Sequence, residues 1–250
     1  VKLDENVISL GDKVVLNVDE EFRNNVCSNH SATHLLNASL REVLGNHVVQ
    51  QGSMVTDDRL RFDFNHYNNL TNEEILKIES LINEQINKGV VVNTLELSLE
   101  DAKKTGAQAV FGEKYGEFVR VVDMEYSKEL CGGTHVKNTG EIVKFAIESI
   151  ESKGSGIFRI EAVTGVNVHT YLSEYLSASK EEITKCITKA NEILDIASKE
   201  GFKLELPSIV IPTIIGSYQD IINYRDAIEF ARKSVKELEK SYDNMFRSKN

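Results

Sequence analysis

Two short stretches, well separated along the chain, constrain this sequence more than anything else in it. The first is His30-Ser31-Ala32-Thr33-His34 and the second is Cys131-Gly132-Gly133-Thr134-His135. Each carries two metal-capable side chains with three residues between them. In the first, a four-residue offset puts both imidazoles on one face of a helix, one turn apart. In the second, paired glycines break any helix and allow a tight turn, so a thiolate and an imidazole can converge from a loop. Two such pairs, with N and S donors only, are what a tetrahedral zinc site requires. We therefore expect one zinc ion held by His30, His34, Cys131 and His135.

Bland readings stand beside this one. A lone histidine pair at i, i+4 is more often a surface coincidence than a ligand pair, and Ser31 stands where a metalloprotease would carry Glu. A single reduced cysteine is most often a small buried apolar residue. The second pair shifts the balance, because Cys and His around Gly-Gly, between two strand-like runs, is hard to explain by core packing. Cys27 and Cys186 have no histidine at the spacing of either motif and read as structural.

With 250 residues, 41% hydrophobic and 27% charged, the chain can hold one sizeable domain with an appendage, or two small ones. No apolar run approaches a membrane span and the start does not resemble a signal peptide. A start at Val1 reads as a piece cut from something longer. The odd count of three cysteines argues against a disulfide framework and for a cytoplasmic setting. A formal net charge of −10 argues against indiscriminate nucleic-acid binding. Basic residues such as Arg41, Arg61, Lys114 and Arg120 precede the helical C-terminal part and read, one by one, as solvated charges.

Taken in order, residues 1–25 read as two short strands around Gly11, with Lys13 to Val18 alternating as a strand does. A helix is expected from Ser28 or Asn29, as cap, to Gly45, with the two histidines in its first turns. His47 to Val55 reads as a strand whose Gly52 marks a bulge, and Leu60 to Phe64 as a strand with Leu60, Phe62 and Phe64 on one face. Thr71 and Glu74 have capping-box spacing, Ile75, Ile78, Leu81, Ile82 and Ile86 form a stripe, and Gly89 closes that helix. Val90 to Val92 is expected to resume the sheet. A short helix follows Ser98, then a glycine-punctuated turn at 111–116 and a strand from Phe118 to Val122. Two strands after the Cys-Gly-Gly loop, from Ile142 to Ile147 and from Ile157 to Val163, complete the unit. Beyond Gly165 two long helices, separated by a segment holding both prolines, read as an antiparallel pair, either a packed hairpin or a coiled coil.

Several of these segments together resemble the editing domain of bacterial alanyl-tRNA synthetases. They are Asn29 to Leu36, Gly52-Ser53, Leu60 to Phe64, Gly106-Ala107 with 111–116, Glu129 to His135, and Arg159 to Gly165. The resemblance implies an α+β fold, a mixed or antiparallel sheet with helices around a zinc site, followed by a helical hairpin or coiled coil. It implies three parts: 1–23 as the end of a β-barrel, 24–165 as the editing domain and 166–250 as a helical connector, with a possible homodimer through that connector. ATP would serve only an aminoacylation domain absent from this sequence.

The activity implied is hydrolysis of serine, and also glycine, from tRNA for alanine. A pocket shaped for alanine cannot strongly reject glycine or serine, so a second hydrolytic site supplies the missing discrimination. Carried over, His30, His34, Cys131 and His135 match the zinc ligands, and Gln51 resembles a glutamine linked to editing. Thr33 and Ser53 are pocket candidates by location, and the Gly132 and Gly133 amides are candidate donors to substrate oxygen. Either three of the ligands bind and leave the ion a place for water, or all four bind and the ion organises the pocket. A free-standing deacylase, or a zinc-stabilised tRNA-binding or dimerisation module without turnover, would share these motifs.

Overall fold

The computed structural model describes residues 10–109, 114–206 and 208–249. Helix α1 spans Glu20–Leu44 and is longer than the apolar stripe alone suggests. Asp19, not Ser28 or Asn29, caps it, accepting from the Phe22 amide at 3.0 Å, and Glu20 and Glu21 sit where the helix dipole favours acids. Asn29 is spent on tertiary bonds to Thr56 and Thr164 instead. The two histidines therefore lie in the middle of the helix. The strand expected at Lys13 to Val18 is not formed, and the part of that reading at 1–9 lies outside the described residues.

Strands β1 (Gln50–Val55) and β2 (Leu60–Asn65) follow, then α2 (Asn72–Lys88), whose capping box at Thr71 and Glu74 and left-handed Gly89 are as expected. Strand β3 (Asn93–Ser98), helix α3 (Leu99–Lys104), β4 (Phe118–Asp123) and β5 (Lys128–Leu130) form a small separate unit with antiparallel order β3-β4-β5. The expected strand at Val90 to Val92 contributes only one isolated bridge, Val91 to Asn138. Of the turn at 111–116, residues 111–113 lie outside the described residues.

Strands β6 (Phe145–Gly154) and β7 (Ile157–Thr164) complete an antiparallel sheet of order β1-β2-β7-β6. Ile142 belongs to a 3-10 turn rather than to β6. Leu60, Phe62 and Phe64 of β2 are fully buried against Leu35, Leu36 and Leu40 of α1 and Ile78 and Ile82 of α2. Each such side chain contributes about 1.5–3 kcal/mol on burial, and together they press the histidine-bearing helix onto the sheet.

The C-terminal part corrects one expectation. Helices α4 (Val168–Tyr175), α5 (Ser177–Lys199) and α6 (Tyr218–Lys249) follow β7. Contacts between α5 and α6 advance in the same direction along both: Glu182 meets Arg232, Lys189 meets Glu239, and Glu200 at the end of α5 meets Tyr242. The helices run parallel, not antiparallel. The intervening segment returns along the groove between them, placing Leu204 and Leu206 beside Ala190, Val235 and Leu238, and Ile209 and Ile211 beside Ile183 and Tyr224. Among the described residues, no helix is long and apolar enough to cross a membrane.

Candidate metal centre

The four predicted donors meet. His30, His34, Cys131 and His135 each place a ligand atom within 4.8 Å of all the others, in an arrangement that could hold a metal ion. Cys131 Sγ lies 3.5 Å from His30 Nε2 and 3.4 Å from His135 Nε2. Around a tetrahedral ion with bonds of roughly 2.0 Å to nitrogen and 2.3 Å to sulfur, neighbouring donors stand roughly 3.3–3.6 Å apart. The two spacings at Cys131 Sγ fit that cage, and the four-residue cluster is compatible with zinc.

The outer bonds support the same assignment. His30 Nδ1 faces the Thr134 carbonyl at 3.1 Å, and His135 Nδ1 faces Ser31 Oγ at 3.1 Å. His34 Nδ1 lies 3.1 Å from Glu129 Oε2, close enough for an ion pair but out of line for a hydrogen bond. His30 and His135 thus spend Nδ1 on protein partners, which orients Nε2 as metal-ligating histidines require, while His34 Nδ1 faces Glu129 without a hydrogen bond. Burial is the main cause that lowers the pKa of each ring, to about 3 for His34 and about 2 for His135, with neighbouring imidazoles adding to it at those two, while at His30 the bond to Thr134 opposes the fall and Arg120 adds to it. Neutral imidazole is the form that binds a metal. Burial likewise raises Glu129 to about 7, against hydrogen bonds from Asn37 and Ser127.

Two elements bring these groups together. The helix α1 offers His30 and His34 from adjacent turns, and Ser31 beside them holds the segment after the glycine loop, accepting from the Val136 amide at 3.1 Å. The glycine loop arrives from β5. A Cβ at Gly133 would collide with Cε1 of His30 and stand 2.7 Å from Nδ1, so only glycine lets the loop approach that ring. The Gly133 amide donates to Cys131 Sγ at 3.4 Å, so it is not the free oxyanion donor expected of it. Among the described residues the Gly132 amide has no partner.

A cavity of about 430 Å³ opens beside the centre, with Thr33, Gln50, Ser53, Gly132 and Arg120 on its wall. Thr33 is buried and its hydroxyl donates to the Asn29 carbonyl at 2.8 Å, leaving its lone pairs as acceptors. Gln51 is not on that wall. It is the extra residue of a β-bulge between Gln50 and Gly52, exposed, with its amide turned to the Val49 carbonyl. Gln50 stands on the wall instead and donates to Ser53 Oγ at 3.3 Å. Sequence reasoning gave no role to Glu129 and Ser31 and read Arg120 as a solvated charge, although Arg120 interrupts the apolar run from Phe118 to Val122, a signal that it faces something polar.

The chain is similar in sequence to known proteins. Residues 119–161 match the Threonyl and Alanyl tRNA synthetase second additional domain, a span that includes Cys131 and His135 but not the histidines of α1. The chain is 47% identical to an alanine–tRNA ligase of Alkaliphilus oremlandii over 196 residues, which is 78% of this chain and 22% of that protein. It is 50% identical to alanine–tRNA ligase 1 of Lachnoclostridium phytofermentans over 207 residues, 78% of this chain and 24% of that one. To the alanine–tRNA ligase of Acholeplasma laidlawii it is 40% identical over 242 residues, 96% of this chain and 27% of the other. The chain thus spans about a quarter of the length of the curated relatives it matches. Carrying that domain, and 40–50% identical to these ligases over most of its length, the chain belongs to the alanyl-tRNA synthetase family as a segment of it.

Proposed function

We propose that this segment is an editing domain that hydrolyses the ester of tRNA for alanine wrongly charged with serine or glycine, at a zinc site made by His30, His34, Cys131 and His135. The observation that carries the reading is the convergence of those four donors at the edge of a cavity of about 430 Å³. When bound, zinc supplies fixed positive charge beside the ester. The four-donor set favours the version in which the ion organises the pocket, because a closed tetrahedron leaves no open position.

The chain's own groups do the selecting. Thr33 Oγ1 already donates to Asn29, so toward the cavity it can only accept. A serine hydroxyl gives it a donor, and alanine would leave that acceptor buried and unpaired. The Gly132 amide is the backbone donor available to the carbonyl oxygen as negative charge grows there. Gln50 and Ser53, bonded to each other, form the opposite wall where water and the terminal ribose are held.

Deacylation assays with seryl-tRNA and alanyl-tRNA test the proposal directly. The zinc-loaded chain is expected to release serine and spare alanine. Chelation and Cys131→Ala are each expected to abolish that release. Undiminished hydrolysis by Cys131→Ala would refute the role of the site, and tRNA binding without turnover would support a non-catalytic module instead.

A further inference from the structure

The loop from Cys131 to His135 is tied down through its backbone. The Thr134 carbonyl faces His30 Nδ1 at 3.1 Å. The carbonyls of Cys131 and Gly133 both accept from a single nitrogen, Nη1 of Arg120, the first of them at 3.3 Å. The Arg120 carbonyl in turn accepts from the Cys131 amide at 3.0 Å. One residue of β4 therefore grips the loop at three points, on both sides of Gly132. The neighbours of Arg120, Val119 and Val121, point the other way and are buried with Leu130 and Ala102, which fixes the strand that carries the guanidinium.

We propose that Arg120 is a positioning residue of the metal centre: by clamping the carbonyls of Cys131 and Gly133 it sets the turn that presents Sγ to the three imidazoles. The proposal rests on the metal-site reading above. Two consecutive glycines lose more backbone freedom on ordering than any other pair, so an untethered Gly132-Gly133 turn samples arrangements that carry Sγ out of the donor set. A charged donor on a carbonyl is the strong form of hydrogen bond, and a planar guanidinium holds its geometry better than an ammonium.

Zinc affinity of the 250-residue chain, measured by competition with a chromophoric chelator, tests this on wild type, Arg120→Met and Arg120→Gln. Loss of an outer partner of a metal ligand weakens binding by roughly 10–100-fold, and Arg120→Met is expected to fall in that range with the melting of the metal-free form unchanged. Seryl-tRNA hydrolysis by the variant should return at saturating zinc, with the wild-type KM. Wild-type zinc affinity in a folded variant overturns the proposal. So does a raised KM for seryl-tRNA with metal affinity untouched, which would make Arg120 a substrate contact. If Arg120→Met does not fold, Arg120→Gln is read by the same criteria, and failure of both to fold assigns Arg120 to the fold and overturns it as well. Absence of zinc binding by the wild type would remove the metal reading itself, whereas equal binding by wild type and variants would remove only the role of Arg120.

Discussion

Beside His30 there is room at Gly133 for a hydrogen atom and nothing larger. Gly133→Ala must therefore displace either the loop or the imidazole. Overpacking of this kind costs about 1–3 kcal/mol, but the more telling loss is at the donor set, since the ring that moves is one of the proposed ligands. The expected result is zinc affinity down by at least about tenfold together with a modest drop in melting temperature, both read from one metal titration and one melting series. Gly132→Ala meets no atom within contact distance and should leave the centre intact. At Thr33 the argument turns on a single oxygen. Thr33→Val keeps the shape and removes the acceptor, a change worth about 1–3 kcal/mol for a buried partner. Seryl-tRNA hydrolysis should fall by roughly 10–100-fold, since about 1.4 kcal/mol is tenfold, with zinc content unchanged. An unaltered rate would take Thr33 out of substrate selection.

At the scale of elements, the bulge in β1 decides which glutamine faces the site. A strand alternates its side chains, and one inserted residue resets the alternation beyond it. Here Gln50 pairs with Phe64 and Gly52 with Asp63, leaving Gln51 as the insertion, turned outward. Gln50→Ala is expected to slow deacylation by tenfold or so, and Gln51→Ala to leave it within about twofold, in the same assay. The reverse order would reassign the wall. Gly52 marks a bulge in the sequence, but nothing local says on which side of it the functional amide lies. Thr71, Glu74 and Gly89 mark α2 by local chemistry alone, and those bounds hold. The first turns of α1 are not legible in the same way, because residues 20–25 are exposed and largely polar, and an Asp19 cap rather than an apolar stripe sets the helix there. The four donors were legible because two spaced pairs of metal-capable side chains seldom arise from core packing or surface chance. Arg120, Glu129 and Ser31 were not, because each matters only through a partner distant in sequence or set by the fold.

At the scale of the whole chain, the parallel course of α5 and α6 follows from the segment between them. A 23-residue helix is about 34 Å long, and an extended chain covers that in about ten residues. The stretch between the two helices is long enough to return, and Pro212 in it cannot continue a helix. The stripes that would have formed a seam with a second copy, through Ile183, Ala190, Val235 and Leu238, are packed within one chain against this strap. Besides apolar contacts such as those of Tyr218 and Ile222 with the main core, Glu79 of α2, buried at 5% exposure, joins the strapped pair to the sheet. Its carboxylate accepts from the Ile147 amide of β6 at 2.9 Å, from Ser217 Oγ, and from the Tyr218 amide at the start of α6. Burial raises its pKa and these donors oppose the rise, the helix terminus among them. Glu79→Leu fills the space and strands two buried amides, each costing about 1–3 kcal/mol. The Nδ1 atoms of the three candidate imidazoles face Thr134, Ser31 and Glu129 rather than Glu79. The variant is therefore expected to loosen the helical pair first: cleavage in 201–217 by a probe protease should accelerate at least tenfold while zinc affinity stays at the wild-type value, because about 1.4 kcal/mol already multiplies an open population by ten. Should zinc affinity fall in step with cleavage, sheet, metal centre and helical pair would be one cooperative unit, and Glu79 a core residue rather than a joint.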